Sequence, residues 1–211
     1  MSQIILTSSI AHTGEHIAKS LDKRTSEYKL LFIDTAAETE KGSKQWLKND
    51  RDGLVKGGFQ IQDFSITGKT KGEVEEAINS VDIVFVNGGN TFYLLDKMRK
   101  VGFENLIKAY LKKGGIYASS SAGSIVAGPN IEPARKLEDL NEHLSSIPTK
   151  GLNLVDFVMM PHWGSDSFKR KYSDGFLKTS YTKDYPILFL SDYRYIYIKD
   201  GMMEIIEVVE T

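Results

Sequence analysis

Residues 81–86 read Val-Asp-Ile-Val-Phe-Val, an apolar, β-branched run with a single charge. Its length suits a strand, and a strand apolar on both faces must be covered on both faces. That requirement places it inside a largely parallel sheet. Comparable short runs recur at Ile4–Thr7, Tyr28–Ile33, Gly58–Phe64, Gly115–Ser119, Val155–Met160 and Ile187–Leu190. Between them lie helix-periodic stretches at Ala11–Leu21, Ser43–Lys56, Thr91–Lys100 and Phe103–Lys113. Strands alternating with helices predict an α/β three-layer sandwich with a mostly parallel sheet and right-handed crossovers. Tyr193–Ile198 and Met202–Val209, joined through Lys199-Asp200-Gly201, predict a C-terminal antiparallel hairpin with an Asp-Gly turn at the sheet edge.

The chain has 211 residues, the size of one α/β domain spanning 1–211. Its net charge of −1 gives no basic footprint for a nucleic-acid partner. The chain lacks cysteine, which excludes disulfides, thiolate metal sites and cysteine nucleophiles. No signal-peptide pattern opens the chain, and no apolar run is long enough to span a bilayer. A cytoplasmic protein without a membrane partner, cofactor or metal is the expectation.

Ligand sites in such folds lie at the carboxyl ends of the strands, and three motifs fall there. The first is Ser119-Ser120-Ser121-Ala122-Gly123, between a strand and the start of a helix. A serine on a tight strand-to-helix turn projects its hydroxyl above the sheet, and the following N–H can help bind an oxyanion. The plainer alternative is a small-residue cluster that packs a helix on a sheet. The second is Asn87-Gly88-Gly89-Asn90-Thr91, where two glycines allow a sharp turn with N–H groups aimed into a site. It could equally be a turn with Asn90 or Thr91 capping the next helix.

The third motif is Met159-Met160-Pro161-His162-Trp163. Serine activation needs a base, and of the four histidines only His162 directly follows a buried-type strand. His12 and His16 fit a solvated helix start, and His143 lies in a polar stretch. A carboxylate should orient the imidazole. Between Ser121 and His162 the candidates are Glu132, Glu138, Asp139, Glu142 and Asp156, with Asp156 at the wrong end of a strand. Position alone does not separate the others.

These motifs, taken in order, resemble the serine peptidases that include aspartyl dipeptidase (dipeptidase E) and cyanophycinase. The resemblance also covers Pro129-Asn130-Ile131 and Gly151-Leu152-Asn153-Leu154-Val155-Asp156-Phe157. It implies a fold related to class I glutamine amidotransferases, with Ser in place of their Cys. It implies Ser121 as nucleophile, His162 as base, and an oxyanion hole from Gly88, Gly89 and Ala122. It places an acid about 15 to 18 positions after the serine, a window holding Glu138 and Asp139, with Glu138 preferred. Leu137 and Leu140 would anchor that segment and turn Glu138 inward. Asn90 and Trp163 are the expected substrate contacts, and the substrate is a short peptide.

Two departures from the family pattern stand out. Ser119 occupies a position that is usually Gly, and the segment after His162 is short, with Lys169 and Arg170 as the next basic residues. Hydrolysis is therefore implied more strongly than a preference for an N-terminal Asp. An esterase-like hydrolase on the same fold, or a non-catalytic binding protein, is the alternative. The esterase signature G-x-S-x-G is absent.

Overall fold

The computed structural model describes residues 3–173, 176, 180–182 and 184–209. Nine strands and eight helices are described. The strands are β1 (Gln3–Thr7), β2 (Lys29–Ile33), β3 (Gln60–Phe64), β4 (Ile83–Val86), β5 (Ile116–Ser120), β6 (Val158–Met160), β7 (Ile187–Phe189), β8 (Arg194–Lys199) and β9 (Met202–Glu207). The helices are α1 (Ile10–Ser20), α2 (Gln45–Lys56), α3 (Lys71–Asn79), α4 (Thr91–Lys100), α5 (Phe103–Lys112), α6 (Ala122–Val126), α7 (Glu142–Ser146) and α8 (Asp166–Ser173). The main sheet runs β3-β2-β4-β5-β1-β8-β9, and β6 pairs with β7 in a separate parallel ribbon.

The first five strands in that order are parallel, and β8 and β9 are antiparallel additions. The hairpin turn is the expected one. Asp200 and Gly201 both have positive φ, 53° and 82°, as a tight turn that follows strand twist requires.

Alternation of side chains explains the three layers. In β4, Ile83 and Phe85 face a core shared with Ile10 and Ile17 of α1 and Leu54 of α2. Val84 and Val86 face the opposite core, built with Val74 of α3, Phe92 of α4, Phe103 of α5 and Ile125 of α6. All four β4 side chains are buried, as the sequence run demanded. α1 and α2 cross so closely that a Cβ on Gly14 would sit 2.6 Å from the Gly53 carbonyl oxygen. Only glycine permits that approach.

α3 lies in a stretch for which the sequence reading gave no element. Its start is a capping box: Thr70 accepts from the Glu73 amide, and the Glu73 carboxylate accepts from the Thr70 amide.

Phe85 is fully buried and stacks on Phe32 with ring centroids 5.5 Å apart. Phe85→Ala should lower unfolding free energy by about 3–5 kcal/mol in denaturant titration, since the site cannot collapse between two layers. A loss below about 1 kcal/mol would contradict the packing described.

Asp50 is a charge-bearing residue of α2 buried to 7% exposure. Burial pushes its carboxyl up to about 7, despite the opposing pull of the Ala11 amide. A carboxyl whose folded value is raised binds more protons folded than unfolded between about pH 4 and 7. Its stabilising contribution is therefore complete at low pH and is lost as pH rises through that window. The slope is at most about 1.4 kcal/mol per pH unit. Asp50→Asn should flatten part of this fall and raise Tm at pH 8 relative to pH 5. Parallel Tm profiles for the two proteins across pH 5–8 would refute the assignment.

Candidate active site

The carboxyl ends of β1, β4 and β5 open onto a cleft of about 1170 Å³ whose walls include Ser121, His162, Asp192, Gly88, Glu138 and Phe168. Ser121 follows β5 directly, at φ 50° and ψ −112°, a conformation uncommon for a residue with a side chain. Its amide donates to the Thr7 carbonyl at the end of β1, and its own carbonyl accepts from the Ser124 and Ile125 amides of α6. These bonds hold the serine on a sharp elbow.

The three serines of the motif have distinct places. Ser119, where the resembling family favours Gly, is fully buried; its hydroxyl meets Ser124 Oγ at 2.8 Å and the Ile5 carbonyl at 3.3 Å. Ser120 is also buried, and its Oγ accepts from the Ile10 amide at the start of α1. Of the three, only the Ser121 side chain lies at the cleft with a partner across it.

That partner is His162. Its Nε2 lies 3.0 Å from Ser121 Oγ, and its ring stacks on Phe168 with centroids 4.5 Å apart. The other ring nitrogen, Nδ1, lies 2.7 Å from Asp192 Oδ1. Burial raises the Asp192 carboxyl, but the His162 hydrogen bond and charge and the Ser8 hydroxyl outweigh it, so the carboxyl stays below its ordinary range. An ionised carboxylate can only accept. The proton of a neutral imidazole therefore sits on Nδ1, which leaves Nε2 to accept from the serine hydroxyl.

The β6–β7 ribbon places these two side chains. Met160 pairs with Phe189 at the ribbon's end. Beyond it the Leu190 amide donates to the Met160 carbonyl, and the Trp163 amide donates to the Leu190 carbonyl. The loops carrying His162 and Asp192 are thus laced together by backbone bonds.

Glu138, expected at the imidazole, is elsewhere. Both its oxygens accept from the Thr91 amide, at 3.0 and 2.9 Å, at the start of α4. Burial pushes its carboxyl up to about 7 against the pull of those donors. Leu137 does anchor the segment as expected, buried at 4% exposure, but the inward turn delivers the carboxylate to a helix start. Asp192 lies beyond His162 in the chain, outside the interval between Ser121 and His162 that holds the candidate acids. The criterion that selected His162 would have found it, since Asp192 follows the short strand β7 at the same edge.

Gly88 lies against the nucleophile: a Cβ there would come within 3.1 Å of Ser121 Cβ. Gly89 has φ 128°, and a Cβ there would stand 2.2 Å from the Ala36 carbonyl oxygen. The turn is fixed by the Asn87 amide on Ile33 and the Asn90 amide on Ala36. Ala122 opens α6 immediately after Ser121. Asn90 lines the cleft, yet its side-chain oxygen accepts from the Tyr93 amide and caps α4. Trp163 is 45% exposed and packs on Phe189 and Tyr172, with centroids 4.6 and 5.3 Å away. It turns from the cleft lining toward the aromatic cluster beside α8. Among the described residues, no group of three or more His, Asp or Glu is arranged to hold a metal ion, and no helix is long and apolar enough to cross a membrane.

Comparison with known proteins bears on the family and the fold. An uncharacterized peptidase, Lmo0363 of Listeria monocytogenes, is 27% identical over 81% of this chain and 82% of its own length. A probable alpha-aspartyl dipeptidase of Drosophila melanogaster is 28% identical over 71% of this chain and 56% of its own. A crystal structure assigned as a peptidase E of Listeria monocytogenes superposes with a TM-score of 0.88 at 24% identity, covering 99% of this chain and all of that one. It confirms the mostly parallel sheet with its antiparallel C-terminal strands. The sequence profile of peptidase family S51 matches residues 3–206, and the chain belongs to that family of peptidases.

Proposed function

We propose that the protein hydrolyses short peptides through Ser121, His162 and Asp192 acting as a catalytic triad. The observation that carries this reading is the unbroken relay from Ser121 Oγ to His162 Nε2, at 3.0 Å, and from His162 Nδ1 to Asp192 Oδ1, at 2.7 Å.

In this reading Ser121 Oγ attacks the scissile carbonyl carbon while His162 Nε2 takes the hydroxyl proton. The C–O bond forms, and the carbonyl π electrons move to oxygen. Amides of Gly88, Gly89 and Ala122 face the developing oxyanion. Collapse of that intermediate breaks the C–N bond, and His162 gives its proton to the leaving amine. Water then repeats the sequence on the acyl-enzyme and releases Ser121. Asp192 stays ionised throughout, fixes the imidazole tautomer and stabilises the imidazolium. Glu138 takes no part in proton transfer, because its oxygens are committed to the start of α4.

The short segment after His162 leaves the choice of side chain open, and a dipeptide panel with varied N-terminal residues reads it directly. A fluorophosphonate probe should label Ser121 and leave the buried Ser119 and Ser120 unmodified. Mass-spectrometric mapping to either neighbour would sink the nucleophile assignment.

Asp192→Asn should lower labelling rate and peptide turnover by about 10²–10⁴-fold, since the amide can neither fix the tautomer nor balance the imidazolium. Glu138→Gln keeps an acceptor for the Thr91 amide and should retain turnover within about tenfold of wild type. Side-by-side kinetics of the two variants decide between the acids. The reverse ranking would restore Glu138 and remove Asp192. Activity should fall on acidification, because a protonated imidazole cannot accept the serine proton. Asp192, held below the ordinary carboxylate range, remains ionised through that fall.

A further inference from the structure

Ser8 lies one residue beyond β1, fully buried, and is not part of the relay. Its hydroxyl donates to Asp192 Oδ1 at 2.6 Å, the same oxygen that meets His162 Nδ1. Its oxygen also accepts from the backbone amide of His162 at 2.7 Å. One hydroxyl thus grips both the carboxylate and the main chain of the histidine that the carboxylate orients.

We propose that Ser8 is a positioning residue of the active site. It sets the distance between Asp192 and the imidazole and holds the His162 backbone in its unusual conformation. The inference rests on the triad reading above.

Three observations converge on it. His162 has φ 61°, a left-handed conformation that few residues with a side chain adopt. Such a backbone persists only where neighbouring bonds over-determine it. The bond from the His162 amide to Ser8 Oγ supplies one of those restraints directly. Asp192 is partly buried, and a carboxylate away from water needs donors for its oxygens. Ser8 and His162 supply donors to Oδ1 from two directions, which leaves the carboxylate little freedom to rotate. Ser8 itself is immobilised because β1 is paired on both sides, to β5 and to β8. The frame of reference for the relay is therefore the sheet. A hydroxyl is required for the double contact, since it donates once and accepts at the same atom.

The test uses a fluorophosphonate probe, which needs no knowledge of the natural substrate. Rates of inactivation, resolved into kinact and KI, are measured from pH 5 to 9 for wild type, Ser8→Ala, Asp192→Asn and the double variant. Ser8→Ala should lower kinact by about 10- to 100-fold, the usual value of a hydrogen bond to a charged group. KI should change little, and the midpoint of the acid limb should move. In the Asp192→Asn background the same substitution should cost several-fold less than in wild type, because the hold on the carboxylate is already gone and only the hold on the His162 backbone remains to be lost. A general loosening of the fold would cost the same factor in both backgrounds, so equal losses would overturn the proposal even if Ser8→Ala lowers Tm. Wild-type kinact and midpoint in Ser8→Ala, with Asp192→Asn impaired, would also overturn it while leaving the triad intact. If Asp192→Asn itself inactivates at the wild-type rate, the triad reading fails first, and the role of Ser8 falls with it.

Discussion

The pairing of β1 on both edges is the constraint on which the site depends. β5 runs parallel to it on one side, with Thr7 opposite Ser120, and β8 runs antiparallel on the other, with Thr7 opposite Tyr195. Three chain segments therefore end at one point. Ser8 leaves β1, Ser121 leaves β5, and Asp192 lies two residues before β8. The Ser121 amide closes the convergence by donating to the Thr7 carbonyl. A register slip of one residue would turn every side chain of a strand to the other face. Both faces are buried, so the cores on each side hold the register and, through it, the site.

The backbone around this point is not relaxed. Ser121 and His162 both carry positive φ, and residues in such conformations cost on the order of 1–3 kcal/mol each. The surrounding sheet meets that cost with rigid partners: Thr7 and α6 hold Ser121, while Ser8 and the β6–β7 ribbon hold the loop of His162. The adjacent glycines solve a different problem. Gly123 approaches β4 so closely that a Cβ would stand 2.1 Å from the Val86 carbonyl oxygen. α6 can start directly beneath the nucleophile only because that atom is absent.

Local physics made much of this readable from the amino-acid order. β4 declared itself through length and β-branching, the terminal hairpin through Asp200-Gly201, and the elbow through small residues after a strand. Ser121 and His162 stand out in the sequence because each follows a buried strand at the same edge. What escaped depended on long-range placement. Asp192 lies 30 residues beyond His162, and nothing local ties them until β6 and β7 pair. Glu138 looked suitable because Leu137 anchors it, and anchoring fixes a direction without revealing what lies there. Trp163 follows the histidine, but its neighbour ring on Phe189 draws it away from the cleft. α3 carried a readable signal in Thr70 and Glu73 that the apolar-run reading passed over.

The carboxylates near the cleft show why residue type alone could not identify the partner of the imidazole. Asp50 and Glu138 are both pushed up to about 7 by burial, which outweighs the donors each faces and, at Asp50, the charge of His162. Asp192 is also pulled from water, yet His162 and Ser8 hold it below its ordinary range. An acid that is half protonated near neutrality offers only part of a charge to an imidazolium. One that stays ionised offers all of it, and its two oxygens remain pure acceptors. The environment thus separates three chemically similar groups into two that favour the neutral form and one that keeps its charge. The charged one is the acid that the sheet delivers to Nδ1, so its ionisation follows from its position. A carboxylate placed there gains the donors that keep it charged, whereas the same group at the start of α4 or beneath α1 gains donors too weak to offset its burial.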